Sequence, residues 1–501
     1  MKRETNFVSG KNLKIGGLVG LALLAVLACS SVASAQHWQA ATQFPGSGAG
    51  TAILTTEGHV LVQELTGPAS SGGYATGNWY IMEPDYLGNY DTGIWFGPYS
   101  SGAYAPLYFA SAVLPGGGVL IEGGEYNGSS LLDTTRGALW NGVFTPIGHP
   151  SGWGKIGDAP SVVLPNGKFM MGDCCSAKQA IFNAETQSWT STGAGKADNN
   201  SEEGWTLLPS GKVLTVDTQN GTESELYNPG TGKWSLAGKL PVQLAFNCDN
   251  SRIVPEIGPA VLRPDGTVFA TGANGFTAIY NASTKKWSKG PVFPPNSAGL
   301  GQDGVADGPA ALLPNGNVLV MASNINPCNI PPSDFYVFDG ADIDPVPGPP
   351  NASNEVSFDG RMLELPTGHI LFTDGTSDVE IFYPDGSPKS SWAPTITSAP
   401  ATIETGGTYT LKGTQFNGLS QGAAYGDDAQ MATNFPLVLI EIWGYHFYLP
   451  THDFTLGVAT GMKTVSTKFD VIGQIGTLTG PATIAVQVNG ITSNAVKVTV
   501  K

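Results

Sequence analysis

The chain has 501 residues, of which 13% are charged, and it contains 67 glycines and 36 prolines. Its formal net charge of −16 argues against a nucleic-acid partner, because duplex binding depends on Lys and Arg neutralising phosphates. With 41% hydrophobic residues, the chain is still able to bury a large core.

Residues 1–35 have the pattern of a secretory signal peptide. Basic residues precede the apolar run IGGLVGLALLAVL, and the small residues of VASA predict cleavage after Ala35. The run is shorter than the roughly 20 residues of a transmembrane helix, and no later segment comes close. We therefore expect an exported protein, secreted, periplasmic or on the cell surface, with no transmembrane segment. A competing interpretation takes Val26–Cys29 as a weak lipobox, with Cys29 lipidated.

One phrase recurs after the signal: an apolar strand, a turn that ends in glycine and a second apolar strand. Its seven copies are AILTTEGHVL, AVLPGGGVL, VVLPNGKF, TLLPSGKVL, AVLRPDGTVF, ALLPNGNVL and LELPTGHIL. The turn glycines are Gly58, Gly117, Gly167, Gly211, Gly266, Gly316 and Gly368. They recur about every 50 residues, which is typical of four-stranded kelch-type propeller blades.

Most repeats continue into a third strand and a fourth strand that carries tryptophan, as in SELYNPGTGKWSLAG. The seventh repeat lacks a fourth strand of its own, and HWQAATQFP at residues 37–45 resembles the missing one. A ring of sheets must close, because an open edge pairs with other chains. The sequence thus predicts an all-β fold with a seven-bladed kelch-type β-propeller over residues 36–393, in which residues 37–45 complete blade seven.

The period stops near residue 394. Short alternating strands follow, in TYTLKGTQF, FPLVLIEIWG, TKFDV, ATIAVQVNG and AVKVTV. Their number and the size of the segment predict an immunoglobulin-like β-sandwich over residues 394–501.

Acidic side chains recur at one position, seven residues before the turn proline. Asp158, Glu202, Asp307 and Asp359 stand there, and Tyr108 takes this place in the second repeat. Because the first strand of a blade is innermost, we expect these side chains at one mouth of the central channel, together with Trp205.

Two roles are open for this acidic mouth. It could bind a glycan or an extracellular protein, or its carboxylates could hold Ca²⁺, which takes about six to eight oxygen ligands; the four candidate ligands for calcium are Asp158, Glu202, Asp307 and Asp359. The structural alternative is that each carboxylate accepts backbone N–H groups from a neighbouring blade. The sequence offers no set of nucleophile, base and orienting group, so no catalytic residue is predicted.

Four cysteines fall in loops on the same predicted face: Cys174, Cys175, Cys248 and Cys328. An even number in an exported chain favours disulfides, with three pairings open. We favour a vicinal bond between Cys174 and Cys175, and a bond between Cys248 and Cys328 because the repeats that carry them adjoin. A metal site is the weaker alternative, since no CxxC pair is present.

The repeats and the C-terminal segment resemble the propeller and the immunoglobulin-like (E-set or IPT/TIG-like) domain of galactose oxidase and related copper radical oxidases. A closer resemblance, to secreted bacterial kelch-repeat proteins, rests on GTQFNGLSQGAAYGDDAQMATNFPLVLI and THDFTLGVATG. The oxidase resemblance implies a Tyr-His pair entering the last blade and a further His from the C-terminal domain. Phe358 and Asp359 stand at the first two places, and residues 416–437 contain no histidine. We therefore expect no copper.

The sequence favours a non-catalytic binding or surface-interaction protein that needs no cofactor. The alternative is an enzyme that keeps the galactose oxidase scaffold with altered chemistry, for example a calcium-dependent lyase or hydrolase. Two further features of the C-terminal motif have ordinary structural explanations: His452 beside Asp453 as a hydrogen-bonded loop residue, and Asp427-Asp428 as a turn.

Overall fold

A computed structural model describes residues 36–247, 255–426 and 431–501, which belong to one compact unit. Nearly all of their regular structure is β-strand, which confirms the all-β prediction. The helices are short 3-10 turns at Ala69–Ser71, Pro350–Asn354, Ser357–Asp359, Ser390–Trp392 and Gly473–Ile475. None of the helices in the described ranges has the length or the apolar character of a membrane-spanning segment.

Seven antiparallel sheets of four main strands follow one another in the described residues up to Tyr383, and we number them 1 to 7. Sheet 1 contains Gly48–Leu54, Val60–Leu65, Ala75–Glu83 and Ile94–Ser100; sheet 2 contains Ala110–Val113, Val119–Glu122, Gly137–Trp140 and Phe144–Ile147; sheet 3 contains Ser161–Val163, Phe169–Gly172, Gln179–Asn183 and Ser188–Thr192; sheet 4 contains Thr206–Leu207, Val213–Val216, Glu223–Asn228 and Lys233–Lys239.

The remaining three sheets repeat this order. Sheet 5 contains Ala260–Leu262, Thr267–Thr271, Thr277–Asn281 and Lys286–Lys289; sheet 6 contains Pro309–Leu312, Val318–Ile325, Cys328–Phe338 and Ile343–Val346, with Asp303–Gly304 added; sheet 7 contains Arg361–Glu364, Ile370–Thr373, Glu380–Tyr383 and His37–Ala40. A small extra sheet joins Pro106–Leu107, Tyr126–Asn127 and Ser130–Leu131.

Each repeated phrase forms the hairpin between the first two strands of a sheet. In sheet 7, for example, Gly368 has a φ of 82° and its N–H donates to the carbonyl of Leu365 at 2.9 Å. Glycine suits this place because it adopts positive φ without a Cβ clash. The first strands of neighbouring sheets contact each other between sheets 1 and 7, 7 and 6, 6 and 5, 5 and 4, and 3 and 2. The first strands therefore lie towards a common centre.

Sheet 7 contains strands from both ends of this region. His37–Ala40 runs antiparallel to Glu380–Tyr383, with His37 opposite Tyr383 and Ala40 opposite Glu380. The indole of Trp38 packs on Phe335, Phe372 and Phe382, with ring centroids 5.1 to 5.6 Å apart. Its Nε1 also donates to the carbonyl of Pro347 at 2.6 Å. The N-terminal strand thus connects sheet 7 with sheet 6.

The C-terminal residues form two further sheets. One contains Thr395–Ser398, Thr408–Thr414, Thr451–His452 and Val465–Asp470; the other contains Thr402–Ile403, Leu437–Ile442, Tyr445–Leu449, Gly480–Val488, Ile491–Thr492 and Val496–Val500. Leu411 and Phe469 of the first sheet share a buried hydrophobic core with Ile440, Ile484 and Val486 of the second. The core explains why apolar residues alternate along these strands.

One strand from the C-terminal region enters sheet 6. Ala423–Tyr425 pairs antiparallel with Pro309–Leu312, so that Tyr425 lies opposite Pro309. Its approach is fixed by two hydrogen bonds, from the N–H of Leu312 to the carbonyl of Gly422 at 2.6 Å and from the N–H of Leu207 to Oε1 of Gln421 at 2.7 Å. This strand brings a C-terminal side chain to the centre of the N-terminal sheets.

Candidate functional site

A cavity of about 410 Å³ lies where the first strands begin. Four of the six predicted ligand-binding residues line it: Tyr108, Asp158, Glu202 and Asp307. Other side chains in its wall are Tyr74, Glu125, Tyr126, Asn329, Phe358 and Tyr425. The structure thus brings together residues from six different repeats and from the C-terminal region in one concave surface.

Four lining residues other than glycine have a positive φ, among them Asn329 at 52°. Tyr108, Glu202 and Asp307 have φ of 53°, 57° and 52°, in the left-handed region that residues other than glycine seldom adopt. They occupy the same position in repeats two, four and six. Each such residue costs on the order of 1–3 kcal/mol, and such residues concentrate at functional sites. The strained conformation thus recurs at equivalent positions of three repeats in this cavity, and eight other described residues adopt it elsewhere.

Two predicted carboxylates form a close acidic group with a third. Glu202, Glu256 and Asp307 each offer an oxygen atom, and these atoms lie within 4.8 Å of one another. Glu256 is held by a backbone bridge to Phe246, with N–H to carbonyl distances of 2.9 and 3.0 Å. Asp158 lines the same cavity but is outside the acidic group.

Asp359 is not among the described residues that line the cavity; its neighbour Phe358 is. The carboxylate is only 5% exposed, and it accepts hydrogen bonds from the backbone N–H of Ser70, at 2.9 Å, and from the Ser70 hydroxyl. Burial raises its pKa even though the bonds from Ser70 act in the opposite direction. This arrangement matches the structural alternative, because the loop of sheet 1 that contains Ser70 covers the carboxylate.

The expected position of Trp205 at the mouth needs correction. Its side chain is 1% exposed, and its ring packs against Trp234 with centroids 5.6 Å apart. Trp205 directly precedes the first strand of sheet 4, and its indole fills the hydrophobic core beside that strand, together with Val162. It supports sheet packing and does not line the cavity.

The aromatic wall includes residues that the sequence did not single out. The hydroxyl of Tyr425 donates to the carbonyl of Phe358 at 2.9 Å, and its ring stacks on Tyr108 with centroids 6.3 Å apart. The Arg361 guanidinium lies 3.7 Å from the centroid of Tyr425 and 5.3 Å from that of Tyr108. Tyr425 belongs to the specific C-terminal motif, which was the signal available in the sequence. Asp427-Asp428 of that motif lies outside the described residues.

Cys174 and Cys175 are joined by a disulfide bond, which confirms the vicinal prediction. Cys174 packs against Gly157, where a Cβ atom would come within 2.6 Å of its sulfur, and Gly157 directly precedes Asp158. Cys248 lies outside the described residues, so its pairing with Cys328 stays a prediction.

His452 is bound within the C-terminal sheets and does not line the cavity. Its Nδ1 lies 3.3 Å from Oδ2 of Asp453, and its Nε2 lies 3.4 Å from Oδ1 of Asp470. The hydrogen bond agrees with the prediction, but His452 lies in the strand Thr451–His452 and not in a loop.

We expect Asp359→Ala to lower the free energy of unfolding by about 1–3 kcal/mol, because it removes two hydrogen bonds that the exposed Ser70 donates to the buried carboxylate. Asp359→Asn should recover most of this loss, since its carbonyl oxygen accepts one of the two bonds. Urea unfolding measures the effect, and ligand binding should change less than twofold in either variant. Loss of binding in a stable Asp359→Asn protein would contradict the structural role.

Comparison with known proteins bears on the fold. No protein-family model and no curated protein sequence matches the chain. A fungal alcohol oxidase of the AA5 family, in complex with copper, is similar in structure over 93% of this chain and 99% of its own, with a TM-score of 0.50 and 14% identity. The chain has a galactose oxidase-like β-propeller fold. At this identity the similarity concerns the fold alone.

Weaker similarities include two bacterial structures. A virginiamycin B lyase from Staphylococcus aureus, solved with quinupristin, has a TM-score of 0.47 and 9% identity, over 69% of this chain and 99% of its own. The extracellular domain of a hybrid two-component system from B. thetaiotaomicron has a TM-score of 0.46 and 11% identity, over 75% of this chain and 44% of its own.

Proposed function

We propose that this protein is exported, that its residues 36–393 form a seven-bladed kelch-type β-propeller, and that it binds a glycan in the cavity without catalysing a reaction. The cavity itself carries the proposal, because Tyr108, Asp158, Glu202 and Asp307 line it together with further aromatic rings. Residues 394–501 form an immunoglobulin-like β-sandwich in this proposal, and residues 1–35 are a signal peptide.

Several features support this architecture. The seven sheets and the pairing of His37–Ala40 with Glu380–Tyr383 are what a closed ring of seven blades requires. The two C-terminal sheets and their shared core are consistent with a sandwich. The disulfide between Cys174 and Cys175 supports export, because disulfides persist in oxidising compartments.

The chemistry of the wall suits a sugar. A volume of about 410 Å³ falls within the usual range for small-ligand pockets, about 300–1,000 Å³. Ionised carboxylates only accept hydrogen bonds, and sugar hydroxyls donate them. The partly exposed rings of Tyr108 and Tyr126 offer flat apolar faces, and each also carries a polar hydroxyl.

The donor set does not fit the copper centre of the related oxidases. Cu(II) favours imidazole ligands, and none of the six histidines is among the described residues that line the cavity. Calcium needs about six to eight oxygen ligands, whereas the acidic group contains three carboxylates and leaves out Asp158 and Asp359. We therefore propose ligand binding without a metal cofactor.

We expect glycan binding to weaken about tenfold or more in Asp307→Asn, because hydrogen bonds to charged groups contribute about 1.5–3 kcal/mol. A glycan array on folded protein identifies the ligand, and calorimetry then compares the variants. Asp344→Asn, which changes an exposed carboxylate on sheet 6, is the matched control. Failure of the folded protein to bind any glycan, or unchanged affinity in Asp307→Asn, would contradict the proposal.

Removing metals should change nothing. Elemental analysis of purified protein is expected to find neither stoichiometric copper nor stoichiometric calcium, and dialysis against EDTA should leave glycan affinity unaltered. Stoichiometric copper would contradict the exclusion of oxidase chemistry. Calcium that is required for binding would instead assign the group of Glu202, Glu256 and Asp307 to a cation.

The second candidate function is an enzyme with altered chemistry on this scaffold. The three strained residues Tyr108, Glu202 and Asp307 favour it, because backbone strain is stored at catalytic as well as binding sites. Incubating the protein with each array-positive glycan separates the two functions. A glycan recovered intact supports binding, and a cleaved or oxidised product supports the enzyme.

A further inference from the structure

We propose that the ligand of this cavity carries an ammonium group, so that the glycan bound there contains amino sugars with free amines. This inference rests on the proposed glycan binding and names its ligand class. The charge and the aromatic content of the wall carry it independently of each other.

The wall is acidic. Glu125, Asp158, Glu202 and Asp307 contribute carboxylates, and no Lys, Arg or His occurs among the described residues that line the cavity. A concave surface lined by one sign of charge concentrates ligands of the opposite sign. A neutral sugar gains nothing from this field, whereas a protonated amine does.

Aromatic rings make up much of the remaining wall: Tyr74, Tyr108, Tyr126, Phe358 and Tyr425. The face of such a ring is electron-rich and attracts a cation within about 6 Å of its centroid. Tyr108 holds a fixed geometry with two of the others, edge-to-face with Tyr126 at 6.4 Å and stacked with Tyr425 at 6.3 Å. Rings combined with carboxylates are the chemistry by which proteins bind organic ammonium groups.

Two of these rings already contact a cation, Arg361, and one of them, Tyr425, is only 1% exposed. The Arg361 guanidinium contacts Tyr425 and Tyr108, but Arg361 is buried and does not line the cavity, so it approaches the rings from within the protein. Its Nη1 donates to the carbonyls of Phe358 and Gly360 at 2.8 Å. Asp359 lies close enough for Arg361 to lower its carboxyl pKa against the larger effect of burial. The lining carboxylates of Glu125, Asp158, Glu202 and Asp307 outnumber this one guanidinium, so the cavity keeps its negative sign.

An ammonium group suits this wall better than a metal ion does. Its three N–H donors can be shared among carboxylates such as Glu202 and Asp307. The carbon atoms around it pack against rings, which offer no oxygen ligand to calcium. An amino sugar supplies both parts, a charged amine and an apolar ring face.

The test compares two oligosaccharides of equal length, β-1,4-linked glucosamine and β-1,4-linked N-acetylglucosamine, by calorimetry on the full mature chain. They differ in whether the amine is free or masked. We expect the glucosamine oligomer to bind about tenfold tighter or better at a pH where its amines are protonated, and its affinity to fall as salt rises. Tyr74→Leu, at the partly exposed rim, should weaken its binding, whereas Tyr86→Leu, on an exposed loop of sheet 1, should not.

The outcomes separate this inference from the proposed function. Equal affinity for the two oligomers, or a preference for the acetylated one, overturns the ammonium inference and leaves glycan binding intact. The ammonium inference is also overturned, and glycan binding again left intact, if neither oligomer binds while the array identifies a neutral glycan. A folded protein that binds no glycan of any kind overturns the proposed function and this inference with it.

Discussion

Replacing Lys196 by methionine is expected to lower the free energy of unfolding by about 3–5 kcal/mol at pH 8, because it removes a buried cation that contacts four carboxylates. The Lys196 side chain is 1% exposed. Its Nζ lies 2.6 Å from Asp198, 2.8 Å from Glu203, 2.7 Å from Glu225 and 3.7 Å from Asp217. Methionine fills a similar volume but leaves these carboxylates to repel one another.

The loss of stability in Lys196→Met should increase as the pH rises. In the native protein, burial raises the pKa of Asp217 to about 7 although Lys196 opposes it, and burial likewise raises the pKa of Glu203. An acid whose folded pKa lies above its unfolded pKa binds more protons when folded, so stability falls as pH rises between the two values. Without Lys196 these pKa values rise further. The difference between variant and native protein is therefore expected to widen from pH 5 to pH 8.

Lys155→Met is the matched control, since it removes a lysine of the same length from an exposed ion pair. The Lys155 side chain is 57% exposed and its Nζ lies 2.5 Å from Asp133. Exposed pairs contribute about 0–1 kcal/mol. Urea unfolding at several pH values measures both variants. At pH 8, the free energies of unfolding of Lys196→Met and Lys155→Met should differ by more than about 1 kcal/mol, the contribution of an exposed ion pair. A smaller difference would refute the stabilising role assigned to the Lys196 ammonium.

Trp38→Ala is expected to lower the free energy of unfolding by about 2–4 kcal/mol. This is somewhat less than for substitution of a fully buried tryptophan, because the Trp38 side chain is only partly buried. The change removes the indole that packs on Phe335 of sheet 6 and on Phe372 and Phe382 of sheet 7. It also removes the hydrogen bond to Pro347. Closure of the ring by the N-terminal strand would be weakened as a result.

Trp443→Ala provides the comparison, because that indole is 72% exposed in a turn of the C-terminal region. We expect it to change stability by less than about 0.5 kcal/mol, as surface substitutions usually do. Thermal unfolding and urea unfolding should both find that Trp38→Ala is more destabilising than Trp443→Ala. Equal effects of the two substitutions would mean that the strand His37–Ala40 adds little to the stability of the ring.

Local features of the sequence were sufficient to predict the hairpins. The turn phrases that end in glycine predict where the first two strands of each sheet join. A glycine at positive φ restricts the turn between those strands to a few conformations. Counting back from the turns also brought Asp158, Glu202 and Asp307 to one cavity, since equivalent positions of equivalent strands face one centre.

The features of the site that the sequence did not predict depend on contacts between residues far apart in the chain. Asp359 has the same position as Asp307 in its repeat, but Ser70, 289 residues earlier, covers it. The sequence pattern predicts Trp205 at the mouth, whereas its packing against Trp234 depends on the space beside the strand, which no periodicity encodes. Tyr425 could not be derived from any repeat, because its strand comes from another region of the chain and pairs with sheet 6.

The entry of Ala423–Tyr425 into sheet 6 has a consequence for biogenesis. A nascent chain that has completed every N-terminal repeat still lacks part of the cavity wall, because the strand that supplies it follows all of these repeats in the sequence. Contacts between distant positions form slowly. Ligand recognition should therefore mature after the sheets have assembled, and a truncated chain that ends before residue 423 should be folded in part yet unable to bind.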